Sequence, residues 1–266
     1  MTEAELLFTH IMQCDFVDLY LSRKQRLDKN KSFQIAKVLR KRLKGEPLEY
    51  ILGKTEFMGL EFKVNTDVFI PHPDTEILVE TVIRLAKDYV FKDMDILDMG
   101  TGSGCIAVSL AKNLPYAKIT ATDISPKAIE IARQNSRLNN IIDRINFVVA
   151  DLFDSDKLQV ENYDFIVSNP PYIPSLEIQD LANEIQWQPQ VALDGGEDGL
   201  CFYRRIIRSA PYYLKKDGYL VLEFGFNQRR TLEDILIKSR NFEIIDIVND
   251  YNGIERVIVA KNNKNG

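Results

Sequence analysis

The sequence predicts an α/β protein built on a doubly wound, mostly parallel sheet, and three observations carry that prediction. Short apolar runs alternate with helix-patterned segments from about residue 95 onward. The first run ends in a glycine-rich turn, Gly100-Thr101-Gly102-Ser103-Gly104. Successive runs end or are followed by a polar residue: Asp98, Asp123, Asp151 and Asn169. Right-handed crossovers would bring those strand ends side by side at one edge, where such sheets bind ligands.

The elements follow in order. Residues 1 to about 55 carry apolar positions at helical spacing (Leu6, Leu7, Ile11 and Met12, then Phe33, Ile35, Ala36, Val38, Leu39 and Leu43), so this stretch reads as helical. Pro47 opens a short helix that Gly53 stops. Phe57–Val64 reads as a β-hairpin turning near Gly59. After Pro71 and Pro73, Asp74-Thr75-Glu76 starts an amphipathic helix running to Tyr89. The strands expected next are 95–99, 118–123, 145–150, 163–168 and 219–224, with helices over 104–113, 126–139 and 200–214. Two further β runs, 242–248 and 254–260, meet across 249–253 without a helix and would add an antiparallel edge. The expected division is a helical domain with its hairpin linker at 1–70 and an α/β domain at 71–266, with a disordered tail from Lys261.

Composition narrows the function classes. The 266 residues are 45% hydrophobic and 27% charged, which is ordinary for a globular protein with a sizeable core. A net charge of −5 argues against a general polyanion binder. No apolar run reaches membrane-spanning length, and the acidic start lacks the order of a signal peptide, so a cytoplasmic location is expected. Cys14, Cys105 and Cys201 are odd in number and widely spaced, and read as reduced core thiols. His10 and His72 are too few and too far apart for a metal cluster, so no metal is expected.

The glycine turn follows a strand and opens a helix, which lets backbone approach a ligand beneath free N–H groups. Gly102-x-Gly104-x-x-Ala107 also fits a dinucleotide loop loosely. Asp98 argues against that reading, because a carboxylate repels pyrophosphate but pairs with an amine such as the aminoacyl end of S-adenosylmethionine. Asp123 would chelate ribose hydroxyls, and Asp151 with Leu152 and Phe153 would border an adenine ring. Alone, the glycine turn could be a mere strand–helix connection and Asp123 a helix cap. Their order on successive strand ends gives them joint weight.

Ser168-Asn169-Pro170-Pro171-Tyr172 follows the apolar run Phe165-Ile166-Val167. Two consecutive prolines fix their φ angles and donate no N–H, leaving stiff, free carbonyls. Asn169 adds a side-chain oxygen and Tyr172 a flat ring. The set suits a planar –NH2 group gripped from two sides and one face.

With the glycine turn and Asp123, Asn169-Pro170-Pro171-Tyr172 resembles the class I methyltransferases that use S-adenosylmethionine, in the subset that methylates exocyclic adenine amines or glutamine side-chain amides. That resemblance implies a Rossmann-like, seven-stranded sheet. Further motifs are similar to the peptide chain release factor glutamine methyltransferases: Glu49-Tyr50-Ile51-Leu52-Gly53, Ile70-Pro71-His72-Pro73-Asp74-Thr75-Glu76, Asp194-Gly195-Gly196-Glu197-Asp198-Gly199-Leu200, Glu223-Phe224-Gly225 with Gln228, and Asp250-Tyr251-Asn252-Gly253 with Arg256. The family usually has Arg at the position of His72 and Glu at that of Gln188. His72 reads as a partly exposed ring rather than a base.

The resemblance implies that S-adenosylmethionine lies against Asp98, Gly100–Gly104, Asp123, Asp151, Leu152 and Asn169. It also implies that the substrate is the glutamine of the Gly-Gly-Gln motif in class I release factors. Asn169 Oδ1 and the Pro170 carbonyl would accept the two amide N–H bonds, while Pro171 and Tyr172 complete the substrate side. No general base is required. The helical domain would dock the protein substrate, with Lys37, Arg40, Lys41, Arg42 and Lys44 either meeting acidic surface or forming a solvated face. The alternative is an adenine amino-methyltransferase acting on DNA or RNA; stable nucleic-acid binding is not expected at this net charge.

Overall fold

A computed structural model describes residues 2–21, 26–89 and 93–263. The amino-terminal region holds α1 (Glu3–Met12), α2 (Phe16–Leu21), α3 (Lys29–Leu43) and α4 (Leu48–Leu52). Thr2 and Glu5 close a reciprocal capping box on α1, and Asp28 caps α3 through the Lys31 N–H at 2.7 Å. The basic run of α3 is partly committed to internal pairs. Arg42 binds both Glu3 and Glu184, and Lys41 binds Glu46 at 2.7 Å. Phe33 and Leu43, read from spacing as apolar face positions, are exposed.

The hairpin of β1 (Lys54–Phe57) and β2 (Leu60–Lys63) turns through Met58 at φ 51° and Gly59 at φ 70°. Two successive positive φ angles match the twist of the flanking strands. Phe57 and Phe62 are fully buried against each other edge-on at 6.1 Å and share a core with Leu78, Ile96 and Val108. Asn135 locks the hairpin in place: its Oδ1 accepts from Lys63 N at 2.7 Å and its Nδ2 donates to the Lys63 carbonyl at 3.0 Å.

The main body follows as α5 (Pro73–Leu85), β3 (Met94–Met99), α6 (Cys105–Asn113), β4 (Ala117–Asp123), α7 (Pro126–Leu138), β5 (Ile145–Val149) and β6 (Tyr163–Ser168). Then come α8 (Asn183–Gln186), α9 (Cys201–Tyr213), β7 (Leu214–Glu223), α10 (Arg229–Ser239), β8 (Phe242–Asn249) and β9 (Glu255–Asn262). Seven strands form one sheet in the order β5-β4-β3-β6-β7-β9-β8. β3 to β7 are parallel, and β9 runs antiparallel to both β7 and β8. Side chains alternate between two cores. Ile96, Phe165 and Val167 face α5, α6 and α7, while Leu97 and Ile166 join Tyr203, Ile206 and Leu232 of α9 and α10. Every residue of β6 is buried, as a central strand covered on both faces requires.

Four expectations need correction. The helix α10 is absent from the sequence reading, and it buries only Leu232 and Leu236, a stripe too sparse to stand out by spacing. The tail begins later than expected: Lys261 and Asn262 continue β9, opposite Tyr219 and Phe242, and Asn262 Nδ2 donates to the Lys215 carbonyl at 3.2 Å. Residues 264–266 of that tail lie outside the described residues. The first-turn helix after Pro73 ends at Leu85, and Ala86–Tyr89 tightens into a 3-10 turn. Of the three cysteines only Cys105 is buried; Cys201, the first residue of α9, is exposed.

Candidate active site

The strand order reverses direction of growth between β3 and β6, and the crevice outside their carboxyl ends is where such sheets bind ligands. A cavity of about 680 Å³ opens there. Its walls include Gly100–Ser103 after β3, Asp123 at the end of β4, Asp151 and Leu152 after β5, and Ser168–Tyr172 after β6. Four strand ends therefore meet at one cavity, as their order along the chain predicts.

The glycine loop is held from two sides. Thr101 N donates to the Thr122 carbonyl at 2.8 Å, and Gly102 N donates to Asp123 Oδ2 at 2.9 Å. Asp123 Oδ1 accepts from Ser125 N at 2.8 Å. Each carboxylate oxygen thus holds one backbone N–H and keeps a further acceptor site. Burial raises the Asp123 pKa, partly offset by those two N–H bonds. A side chain at Gly100 would meet nothing within 4 Å, so its backbone faces open space.

Asp98 does not face the cavity as the sequence reading has it. It is fully buried behind the loop, where Oδ2 accepts from the Thr101 hydroxyl at 2.6 Å and from Ala107 N at 3.2 Å. Burial pushes its carboxyl up to about 7 against those bonds. The carboxylate thereby ties the loop to the first turn of α6. Phe153 also turns away, stacking on Tyr213 at 4.5 Å, while Asp151 stays at the rim in an ion pair with Arg205 at 2.8 Å.

At the tip of β6 the Ser168 hydroxyl donates to the Met99 carbonyl at 2.7 Å and pins the strand to β3. Asn169 Nδ2 donates to the Thr75 hydroxyl on α5 at 3.0 Å. The amide nitrogen is thus engaged behind the site, leaving Oδ1 as the free acceptor. Both Pro170 and Pro171 line the cavity, and so does Tyr172, whose phenol burial pushes upward in pKa. The ring stays neutral and serves as an apolar face.

The Asp194–Leu200 run, for which the sequence offers no role, is the support of that segment. Gly195 N donates to the Ile173 carbonyl at 2.8 Å, and Ile173 N donates to the Leu193 carbonyl at 3.0 Å. Cβ atoms on Gly195 and Gly199 would come within 2.8 Å of Tyr172 Cα and 2.3 Å of its carbonyl oxygen. Gln228 completes the clamp, donating from Nε2 to the Tyr172 carbonyl at 2.8 Å. Only side chain-free backbone can approach Tyr172 this closely.

His72 is the N-cap of α5, its Nδ1 accepting from Asp74 N at 3.5 Å with the side chain 62% exposed. Gln188 Oε1 accepts from Ile70 N at 2.9 Å, tying the loop after β6 to the segment ahead of α5. Glu223 at the end of β7 and Arg256 of β9 lie behind the site; Arg256 contacts Asp74 and Asp250, each at 3.2 Å.

Comparison with known proteins places this geometry. The Methyltransferase small domain profile matches residues 71–197, and the PrmC N-terminal domain profile matches residues 1–53. A release factor glutamine methyltransferase of Thermodesulfovibrio yellowstonii is 40% identical over 98% of this chain and 92% of its own. One of Fusobacterium nucleatum subsp. nucleatum is 42% identical over 97% and 72%. The chain belongs to the release factor glutamine methyltransferase family. Among solved structures, the hMettl16 catalytic domain bound to MAT2A 3'UTR hairpin 6 superposes with a TM-score of 0.63 at 19% identity, covering 82% of each chain, a likeness of fold.

Family membership makes the domain carrying the cavity a methyltransferase domain. Spacing and composition could not reveal Thr75, Glu223, Gly199 or Gln228 as parts of the site. Each acts through tertiary contact with Asn169 or Tyr172. The only signal for them lay in the family-like motifs that contain them.

Proposed function

We propose that the protein transfers a methyl group from S-adenosylmethionine to the side-chain amide nitrogen of a glutamine, that of the Gly-Gly-Gln motif in class I peptide chain release factors, in support of translation termination. The observation that carries this reading is the fixed orientation of Asn169. Nδ2 is bound to Thr75 at 3.0 Å, and Asn169 and Pro170 both line the cavity, so Oδ1 and the adjoining Pro170 carbonyl would serve as a pair of acceptors there. A primary amide offers two N–H donors, one for each.

The cavity suits S-adenosylmethionine. Asp123 keeps an acceptor site on each oxygen for ribose hydroxyls, and Ile124, Ala150 and Leu152 give apolar walls for a purine. The open backbone at Gly100 leaves room for the aminoacyl arm. When bound, this cofactor supplies a methyl group on a cationic sulfur, an electrophile strong enough for a weakly nucleophilic amide. The residues of this chain then hold the amide. Asn169 Oδ1 and the Pro170 carbonyl accept its two hydrogens, which draws density onto the nitrogen and restrains its rotation. Tyr172 covers one face of the amide plane and excludes water, with Pro171 beside it.

In this reading residues 1–70 form the docking unit for the release factor and residues 71–266 the catalytic unit, and the enzyme works in the cytoplasm, where its substrate acts. Both named relatives are release factor glutamine methyltransferases, which supports the choice of substrate. The test is to incubate the protein with methyl-labelled S-adenosylmethionine and purified release factor, or DNA and RNA, and map the label. Label on the Gly-Gly-Gln glutamine is the expected result. Label on adenine alone would overturn it in favour of a nucleic-acid amino-methyltransferase.

A further inference from the structure

Behind Asn169 lies a buried polar chain. Asn169 Nδ2 donates to the Thr75 hydroxyl at 3.0 Å, and Thr75 and Asn169 both stand near enough to the Glu223 carboxyl to draw its pKa down against burial. Glu223 is 2% exposed, borders the cavity, and its Oε2 has no hydrogen-bond partner. It stands at the end of β7, whereas Thr75 lies on α5 and Asn169 after β6, so three elements converge on one short network.

The ends of such a chain decide its polarity. A hydroxyl can donate or accept and by itself leaves the Asn169 amide free to turn over. An ionised carboxylate only accepts. It therefore obliges the Thr75 hydroxyl to donate toward Glu223 and to accept from Asn169. That leaves Asn169 Oδ1, not its –NH2, toward the cavity. A turned-over Asn169 would present donors to the donors of an incoming amide. We infer that Glu223, together with the Thr75 hydroxyl, is the positioning residue that sets the acceptor orientation of Asn169. This inference rests on the assignment of Asn169 Oδ1 as an acceptor for the substrate amide.

A protonated Glu223 can donate to Thr75, and the direction of the chain is then no longer fixed. Burial pushes the Glu223 carboxyl up to about 7, so the switch lies at a measurable pH. The groups facing it are Asp74 of α5, which raises its pKa, and Arg256 of β9, which lowers it. Tyr172, Tyr203 of α9 and Cys105 of α6 also feel its charge. All three are held protonated by burial, and none supplies a competing acidic limb.

The experiment is the pH profile of kcat, at saturating cofactor and release factor, for the wild type and for Glu223→Gln, Thr75→Val and Thr75→Ser. The wild type should lose turnover along a one-proton limb as pH falls through about 7. Glu223→Gln should lack that limb and turn over about tenfold more slowly at about pH 8. Thr75→Val should lose about tenfold or more in kcat with cofactor Kd within about threefold, and Thr75→Ser should recover most of that loss. An acidic limb that persists in Glu223→Gln, or a Thr75→Val enzyme with wild-type kcat, would overturn the inference. Cofactor binding and thermal midpoint confirm that each variant is folded. Asn169→Ala, run alongside, separates the two claims: its full activity would sink the acceptor assignment itself, whereas its inactivity beside unaffected Glu223 and Thr75 variants would sink only the positioning role.

Discussion

Thr75 and Asn169 are 94 residues apart in the chain and 3.0 Å apart in the fold, and their hydrogen bond engages the Asn169 amide nitrogen on the α5 side. The Ile70–Glu76 segment therefore contributes to the site from behind, through an α5 that begins with His72 as its cap and Pro73 at its first turn. Asn169 is the tip residue after a fully buried strand, so its backbone has little freedom to compensate if that bond is lost.

Asp123 should govern cofactor affinity more than turnover. Asp123→Ala removes both acceptor oxygens and the bond that holds Gly102 N at 2.9 Å. Losing hydrogen bonds to a charged acceptor costs about 1.5–3 kcal/mol, so cofactor Kd should rise roughly 10- to 100-fold. Calorimetric titration with S-adenosylmethionine measures it. An unchanged Kd would remove Asp123 from the cofactor site.

Gly199→Ala and Gly59→Ala make a matched pair, at φ 72° and 70°. At Gly59 the new methyl meets open space, leaving only the strain of a left-handed residue, about 1–2 kcal/mol. At Gly199 it would lie 2.3 Å from the Tyr172 carbonyl oxygen, and the Gln228 amide at 2.8 Å blocks retreat. Forced overpacking there should add about 1–3 kcal/mol and displace Tyr172, so turnover should fall as well. Denaturant midpoints and kcat distinguish the two; equal effects would show that the Asp194–Leu200 run is not the clamp described.

Asp98 predicts a pH dependence of stability. Its folded pKa of about 7 lies above the unfolded carboxylate value, so the folded state holds a proton that unfolding releases. Its contribution is fully present below about pH 4, falls as pH rises toward about 7, and levels off above. Asp98→Asn, which cannot ionise, should therefore gain stability relative to wild type as pH rises across that window. Thermal midpoints measured without added cofactor test it; a difference that stays constant with pH would contradict the buried, raised carboxyl.

Much of this arrangement is legible in the sequence because it is local. Strand runs, the glycine loop and the polar tips of β3 to β6 each declare themselves within a few residues. Alternation then orders them around one crevice. What escapes is tertiary. Asp98 sits before the loop in sequence, yet the pleat turns its side chain beneath α6 rather than into the cavity. The hairpin reads as a connector, but Phe57 and Phe62 insert into the core beside Ile96. The helix α10 fails to show because two buried leucines suffice where β9 and α9 already supply the rest of the contact. The Gly199–Tyr172 approach is invisible until both segments are placed.

The most direct test of the account compares wild type and Asn169→Ala by single-turnover methylation of purified release factor, with cofactor Kd measured on the same samples. Methyl transfer to glutamine should slow by about 100-fold or more in the variant, with cofactor Kd within about threefold of wild type. A variant that methylates the same glutamine at near wild-type rate would contradict the two-acceptor grip at its centre.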